Sequence, residues 1–189
     1  MPERVGLLGL TLVLALGAAT AAQEVSPEAS PPDPADDMAF LLPAEVAGMT
    51  VTKSNASPDE FTDYFGSDEF LRILLSLFDK GPADMLLGYG WAEGDVSVSM
   101  FAIRVEGVPG EDVAEGFIPA FAGASDATLP PHVMITTEDI GGEWVRTIRN
   151  SEQPDGVAIF YSVGEVMFII QVTGEDSDET VAGILDQLP

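Results

Sequence analysis

Two segments of the chain have apolar patterns that predict β-strands: the first alternates apolar and polar residues, and the second is nearly all apolar. They are SVSMFAIRVEGV, residues 97–108, and EVMFIIQVTG, residues 165–174. The two segments match at a constant offset of 67 residues, which aligns Met100, Phe101, Ile103, Val105 and Gly107 with Met167, Phe168, Ile170, Val172 and Gly174. This repeat predicts two duplicated β-β-β-α halves, residues 38–125 and 126–189. Chance similarity between short apolar strands is the alternative.

The remaining periodic segments complete a mixed pattern of strands and helices. Strands are predicted at residues 49–53, 86–91, 96–105, 133–137, 144–148, 157–162 and 166–172, and helices at residues 58–64, 68–79, 111–122 and 178–188. Glu93-Gly94-Asp95 and Val163-Gly164 form short turns, and strands joined by short turns must be antiparallel. We therefore predict the α+β class, with a mainly antiparallel β-sheet packed against helices.

The first half carries a helical insert, residues 58–80, that has no counterpart in the second. Within it, SDEFLRILLSLFDKG is apolar on nearly all sides, so its helix must be buried on more than one side. It is either a central core helix or one wall of a groove that binds an apolar ligand or a partner protein. The groove hypothesis names five lining residues: Phe70, Leu74, Phe78, Met100 and Met167.

The N-terminal region differs in composition from the rest of the chain. Residues 1–22 combine Arg4, an apolar run and the small-residue motif Ala19-Thr20-Ala21, which is typical of a cleaved signal peptide. An N-terminal membrane anchor is the alternative, because the apolar run approaches the length of a membrane span. Residues 23–37 are rich in proline, serine and acids and predict a disordered linker, which leaves residues 38–189 as a single α+β domain. We expect a secreted or periplasmic protein, or a membrane-anchored one if the N-terminal helix is retained.

The charged residues are strongly unbalanced. Thirty-two Asp and Glu oppose seven Lys and Arg, which gives a net charge of −25 at pH 7. Nucleic acids and anionic membrane surfaces repel such a polyanion, so we expect neither as a partner. The chain has no cysteine, which excludes disulfides, thiolate metal sites and cysteine nucleophiles.

The acidic segment VTGEDSDETVAG, residues 172–183, raises the question of a cation site. An EF-hand calcium loop needs regularly spaced oxygen ligands and a central glycine, and this segment has neither that spacing nor that glycine. Asp176 followed by Glu179 instead predicts a capping box at the start of a helix. We therefore predict no bound metal at Glu175, Asp176 and Asp178.

Few residues stand out as candidates for catalysis. His132 is the only histidine, and one histidine without cysteine cannot build the usual imidazole or thiolate metal shells. The sequence contains no nucleophile elbow, zinc-protease motif, P-loop or dinucleotide glycine pattern. We therefore predict no cofactor and no enzymatic activity.

Arg146 is the candidate anion contact. It shares a predicted strand face with Trp144 and Ile148, which places a cation beside an aromatic ring. The alternative is that Arg146 simply pairs with a nearby acid.

Three functions follow from these observations. The first is an exported, non-catalytic module with a binding or accessory role and an unknown protein or ligand as its partner. The second is a carrier of an apolar ligand in a groove beside the helix at residues 68–79. The third is a hydrolase that uses paired carboxylates, which need no sequence motif.

Overall fold

Nine strands and two α-helices form the described part of the protein. This computed structural model describes residues 37–56, 60, 75–122 and 129–189. The strands are β1 (Glu45–Val46), β2 (Met49–Thr50), β3 (Thr52–Ala56), β4 (Met85–Glu93), β5 (Ser97–Val105), β6 (Val133–Ile140), β7 (Glu143–Asn150), β8 (Gln153–Val163) and β9 (Val166–Thr173). The helices are α1 (Gly110–Phe121) and α2 (Ser177–Leu185), with short 3-10 helices at Met38–Leu41 and Pro82–Asp84. None of the helices in these described ranges is long and apolar enough to cross a membrane.

The seven longer strands form one antiparallel sheet in the order β3-β4-β5-β9-β8-β7-β6. Strands β6 to β9 follow one another as hairpins, and β9 then pairs with β5 at the centre, where Met100 lies opposite Ile170. The two predicted hairpins, β4–β5 and β8–β9, are confirmed. The prediction of a mainly antiparallel α+β fold is confirmed with them.

Each face of the sheet carries a buried cluster that is packed against a different helix. On the α1 face, the buried cluster includes Phe101, Ile103, Val113, Phe117, Phe160 and Met167. On the α2 face, it includes Met100, Ile159, Phe168, Ile170, Val181 and Ile184. Successive residues of a strand point to opposite faces, so a strand buried on both sides is apolar throughout. This explains why the segment at 165–174 lacks a clear alternation.

The 3-10 helix Met38–Leu41 covers one end of the α2 face, beside β4. Its contact depends on Gly88, where a Cβ atom would lie 2.4 Å from the carbonyl carbon of Met38. The side chains of Met38 and Leu42 are buried in the α2-face cluster. The small β1–β2 hairpin adds Val46 to the same cluster.

The structure does not confirm duplicated halves. Strands β3-β4-β5 on one side of the β5–β9 boundary correspond in order to β7-β8-β9 on the other, as two related halves would require, and β6 has no counterpart. A twofold axis between antiparallel neighbours runs perpendicular to the sheet, so it would place both helices on the same face. Instead, α1 follows β5 on one face and α2 follows β9 on the other.

The predicted helical insert lies largely outside the described residues, because residues 57–59 and 61–74 are not described. At its C-terminal end, Leu75 is fully buried in the α1-face cluster, whereas Leu77 is 64% exposed. At this end of the apolar segment one leucine is therefore buried and another is exposed, and burial of the helix on more than one side stays a prediction. Leu77 lies in the turn that ends the helix, where the chain has reached the surface.

Candidate functional site

A groove runs along the α1 face between helix α1 and strands β6 to β8. We call it the α1 groove; its volume is about 350 Å³. The helix supplies Glu111, Ala114, Glu115 and Ile118, and the strands supply Thr137, Trp144, Val145, Arg146, Phe160, Tyr161 and Ser162. The groove therefore has a helical wall and a strand wall.

The helical wall is acidic. Glu111 and Glu115 are one helical turn apart, so both side chains lie on the same side of α1, and both are exposed. Val113 and Phe117 point away from this side and are fully buried in the core. The amphipathic pattern of α1 thus turns these two of its three carboxylates toward the groove.

Gly110 sets the position of this wall. A Cβ atom at Gly110 would lie 2.5 Å from the carbonyl oxygen of Val166, and the Gly110 amide donates a hydrogen bond to the carbonyl oxygen of Gly164 at 2.9 Å. The first turn of α1 is therefore held directly against the β8–β9 hairpin. A larger residue at position 110 would push the helix away from the sheet.

The strand wall is aromatic and basic. The alternation along β7 buries Val145 and Thr147 and turns Trp144 and Arg146 to the α1 face. Trp144 is 70% exposed, a large value for a tryptophan in a strand that has neighbours on both sides. Arg146 lies opposite Phe160 of β8, which is buried and forms part of the groove floor with Ile118.

The charged groups of the two walls do not neutralise one another. In the part of the chain that the structure describes, Glu111, Glu115 and Arg146 form no ion pair and no side-chain hydrogen bond. The α1 groove therefore holds a guanidinium group and two carboxylates that are separated by more than ion-pairing distance.

A second polar cluster lies on the α2 face, and we call it the Glu138 cluster. Thr147 donates a hydrogen bond to Oε1 of Glu138 at 2.9 Å, and Thr136 does so at 2.5 Å. Nη2 of Arg149 lies 3.1 Å from Oε2 of Glu138 and 2.8 Å from Oδ1 of Asp178. The cluster thus joins β6, β7 and the first turn of α2.

These contacts set the ionisation of the cluster. The hydroxyl of Thr136, with Arg149 and Thr147, lowers the pKa of Glu138 below its ordinary value, although partial burial acts in the opposite direction. Burial also acts to lower the pKa of Arg149, but hydrogen bonds to Asp178 and Glu138 outweigh it and raise that pKa. A carboxylate held ionised by three donors is a poor general base, so the cluster is suited to structural support.

The structure places two of the five residues predicted to line an apolar groove on opposite faces of the sheet. Met100 is fully buried on the α2 face and Met167 is fully buried on the α1 face, so the sheet lies between them. Phe78 is half-buried and packs against the α1-face cluster. Phe70 and Leu74 lie outside the described residues.

The other predicted site residue, Arg146, lies in the α1 groove beside Trp144. Sequence reasoning placed these two side chains on one face but missed Glu111 and Glu115. The spacing of Glu111 and Glu115, one turn apart on an amphipathic helix, was the sequence signal that could have identified them. The sequence did not show which strands the helix would cross.

The capping-box prediction for the acidic segment is wrong. Asp176 occupies the N-cap position of α2 with φ 58° and ψ 32°, a left-handed conformation, and its side chain caps no backbone amide. An N-cap side chain reaches the helix amides from extended backbone, which explains the failure. Asp178 and Glu179 do lie in the first turn of α2, as the helix dipole favours.

Neither the acidic segment nor His132 forms a cluster of metal ligands. No group of three or more Asp, Glu or His side chains in the described ranges is arranged to hold a metal ion. Nδ1 of His132 lies 3.9 Å from Oε1 of Glu152. Neither of these two residues lines the α1 groove.

Comparisons with known proteins give no independent indication of function. No protein-family model matches the chain, and a search of curated proteins found no significant match. The functional interpretation therefore depends on the geometry of the α1 groove.

Proposed function

We propose that the protein is an exported, non-catalytic module that binds a small ligand in the α1 groove. The observation that carries this proposal is the exposed Trp144 beside Arg146, which has no ion-pair partner in the described part of the chain. Exposing a large aromatic ring to water is unfavourable, and in a groove such a ring is a common contact for ligands. The volume of about 350 Å³ lies within the roughly 300–1,000 Å³ typical of small-molecule sites.

The N-terminal sequence supports the proposal of export. The basic start, apolar run and Ala19-Thr20-Ala21 motif of residues 1–22 favour cleavage by a signal peptidase. We expect the mature protein to begin at Ala22 or Gln23 when the full chain is expressed in a bacterial host. N-terminal sequencing of the extracytoplasmic protein tests this, and an intact Met1 on membrane-bound protein would favour the anchor.

Tryptophan fluorescence tests binding in the groove. The chain has two tryptophans, so Trp91→Phe leaves only Trp144 as the reporter, and Trp144→Phe leaves only Trp91. We expect compounds from a library of small charged and aromatic molecules to shift the emission of the Trp91→Phe variant to shorter wavelength. The same compounds should leave the emission of the Trp144→Phe variant unchanged.

Two outcomes would contradict groove binding. One is a library in which no compound changes the emission of Trp144. The other is a set of compounds that stabilise the protein against heat but change the emission of both variants equally, because such compounds bind elsewhere.

The carrier and hydrolase hypotheses remain predictions from the sequence. Most of the helix that would line the apolar site lies outside the described residues. Glu111 and Glu115 lie on the same helical wall, whereas a carboxylate pair that hydrolyses a glycoside flanks the bond from two sides. The groove geometry therefore favours binding over hydrolysis, and the carrier hypothesis stays a prediction.

A further inference from the structure

This inference rests on the proposed function and concerns the same groove. We infer that the α1 groove binds a small zwitterion, a molecule that carries one carboxylate and one ammonium group on a short apolar body. A free α-amino acid is the simplest such molecule, and a betaine has the same pair of charges. Arg146 would hold the carboxylate, and Glu111 and Glu115 would hold the ammonium group.

The unpaired state of Arg146 indicates a carboxylate ligand. With 32 Asp and Glu for seven Lys and Arg, a basic side chain on this protein has an abundance of acidic neighbours. Arg149 follows that expectation and contacts both Glu138 and Asp178. Arg146 is exposed in a groove and contacts no acid of the described chain, which leaves its five donors available for a carboxylate from outside.

The helical wall indicates that the same ligand carries a cation. Glu111 and Glu115 face the groove without an ion-pair partner among the described residues. Together with a net charge of −25, they create a negative potential that repels a simple anion. A carboxylate can approach Arg146 favourably if its own molecule also carries a positive charge for the opposite wall.

The floor of the groove indicates an apolar body between the two charges. Ile118 and Phe160 form this floor, and the exposed ring of Trp144 lies at its side. An aromatic face also attracts ammonium and quaternary ammonium groups. The groove volume of about 350 Å³ is at the lower end of the range for small-molecule sites, which matches a molecule of amino-acid size better than a larger one.

Isothermal titration calorimetry with charge-deleted analogues tests this inference on the full mature chain. Phenylalanine, leucine and glycine betaine are the zwitterions. 2-Phenylethylamine lacks the carboxylate of phenylalanine, and 3-phenylpropionate lacks its ammonium group. We expect at least one zwitterion to bind, and phenylalanine to bind at least tenfold more tightly than either of its analogues.

Charge-removing variants assign each wall to one group. Arg146→Gln should weaken phenylalanine binding about tenfold and leave the affinity for 2-phenylethylamine within twofold. The double variant Glu111→Gln/Glu115→Gln should weaken phenylalanine binding by a similar factor without weakening 3-phenylpropionate. The matched controls, Lys80→Gln and Glu93→Gln/Glu165→Gln, make the same charge changes outside the groove and should bind phenylalanine like the unaltered protein.

The outcomes separate this inference from the proposed function. Tight binding of a singly charged compound, with the zwitterions at least tenfold weaker, would overturn the inference but leave groove binding standing. Phenylalanine binding that survives both groove variants would overturn the inference as well. If the three zwitterions fail to bind while library compounds shift the fluorescence of Trp144, only the inference fails. If no compound shifts the fluorescence of Trp144, the proposed function fails as well.

Discussion

Glu138 is a single residue whose charged form the fold stabilises directly. Three donors from β6 and β7 converge on its carboxylate, and Arg149 extends the contact to Asp178 at the start of α2. These hydrogen bonds lower the pKa of Glu138, so the ionised form contributes to the stability of the folded state. A local set of contacts therefore links the edge hairpin β6–β7 to a helix on the α2 face.

We predict that Glu138→Gln destabilises the protein in a pH-dependent manner. Because 32% of the Glu138 side chain is exposed, solvent screening reduces the effect, and we expect a loss of about 1–2 kcal/mol at pH 7. The folded pKa is lowered, so the contribution is complete above the ordinary value of about 4.3 and disappears as the pH falls through the lowered pKa. Urea denaturation at pH 7 and pH 3 measures both effects.

The control for this prediction is Glu93→Gln, which removes an exposed carboxylate outside the cluster. The difference in stability between the unaltered protein and Glu138→Gln should become smaller as the pH is lowered. An equal loss for both variants at pH 7, or a loss from Glu138→Gln that is the same at both pH values, would show that the cluster does not stabilise the ionised form.

The 3-10 helix Met38–Leu41 is an element that depends on tertiary contacts. Oδ1 of Asn55 accepts a hydrogen bond from the amide of Ala39 at 2.8 Å, and Nζ of Lys53 donates to the carbonyl oxygen of Leu42 at 2.9 Å. Gly88 of β4 allows the backbone of this 3-10 helix to approach the strand closely. So short a helix has little stability of its own, and its position depends on these contacts.

We predict that Gly88→Ala displaces this helix. The added Cβ would meet the backbone of Met38 and Ala39 rather than a flexible side chain, so a loss of about 1–3 kcal/mol is expected. Hydrogen exchange at the Ala39 amide should accelerate before the rest of the sheet is affected. Denaturation midpoints and exchange rates measure the two effects.

Gly183→Ala is the matched control, because nothing lies within 4 Å of a Cβ atom at that position in α2. This substitution should stabilise the protein by about 0.5–1 kcal/mol, since alanine favours a helix more than glycine does. Equal stability of Gly88→Ala and the unaltered protein, with unchanged exchange at Ala39, would refute the close approach at position 88.

The elements were predictable from the sequence where local pattern determines them. Strands β4 to β9 contain apolar runs bounded by short turns, and α1 agrees with its prediction within one residue at each end. The order of the strands was not predictable, because pairing of β5 with β9 depends on contacts across a long sequence separation. The left-handed Asp176 was missed because a capping pattern in the sequence does not reveal the backbone conformation at the N-cap position.

At the scale of the whole molecule, the net charge of −25 opposes the compact state. Folding brings the acidic groups closer together than they are in the unfolded chain, so their repulsion is a cost that salt reduces. The same charge creates a negative potential around the protein. Within it, Arg146 of the α1 groove is a basic side chain that has no acidic partner among the described residues.

We predict that salt stabilises the protein through screening alone. Raising NaCl from 0.01 M to 1 M shortens the Debye length from about 30 Å to about 3 Å, and we expect a gain on the order of 1 kcal/mol, or about 2–6 °C in unfolding temperature. CaCl₂ and MgCl₂ at equal ionic strength should act alike. A calcium effect that saturates at low millimolar concentration and exceeds that of magnesium would instead indicate a specific cation site.

The α1 groove was only partly predictable from the sequence. The pairing of Trp144 with Arg146 on one face follows from the period of a strand, and the acidic pair follows from the period of a helix. The two pairs of residues face each other only because α1 lies against β8. The close contact at Gly110 holds the helix there, and this contact exists only in the folded chain. The lining residues Met100 and Met167 were assigned to one site because apolar residues of a doubly buried strand give no indication of their face.

The most direct test of the groove as the binding site is an amide chemical-shift map of the isotope-labelled mature protein titrated with phenylalanine. We predict saturable shifts concentrated in residues 110–118 and 144–146 and in the part of β8 around Phe160, with the amides of the β1–β2 hairpin unchanged. Shifts confined to the α2 face, or shifts spread evenly over the surface without saturation, would contradict a ligand site in the α1 groove.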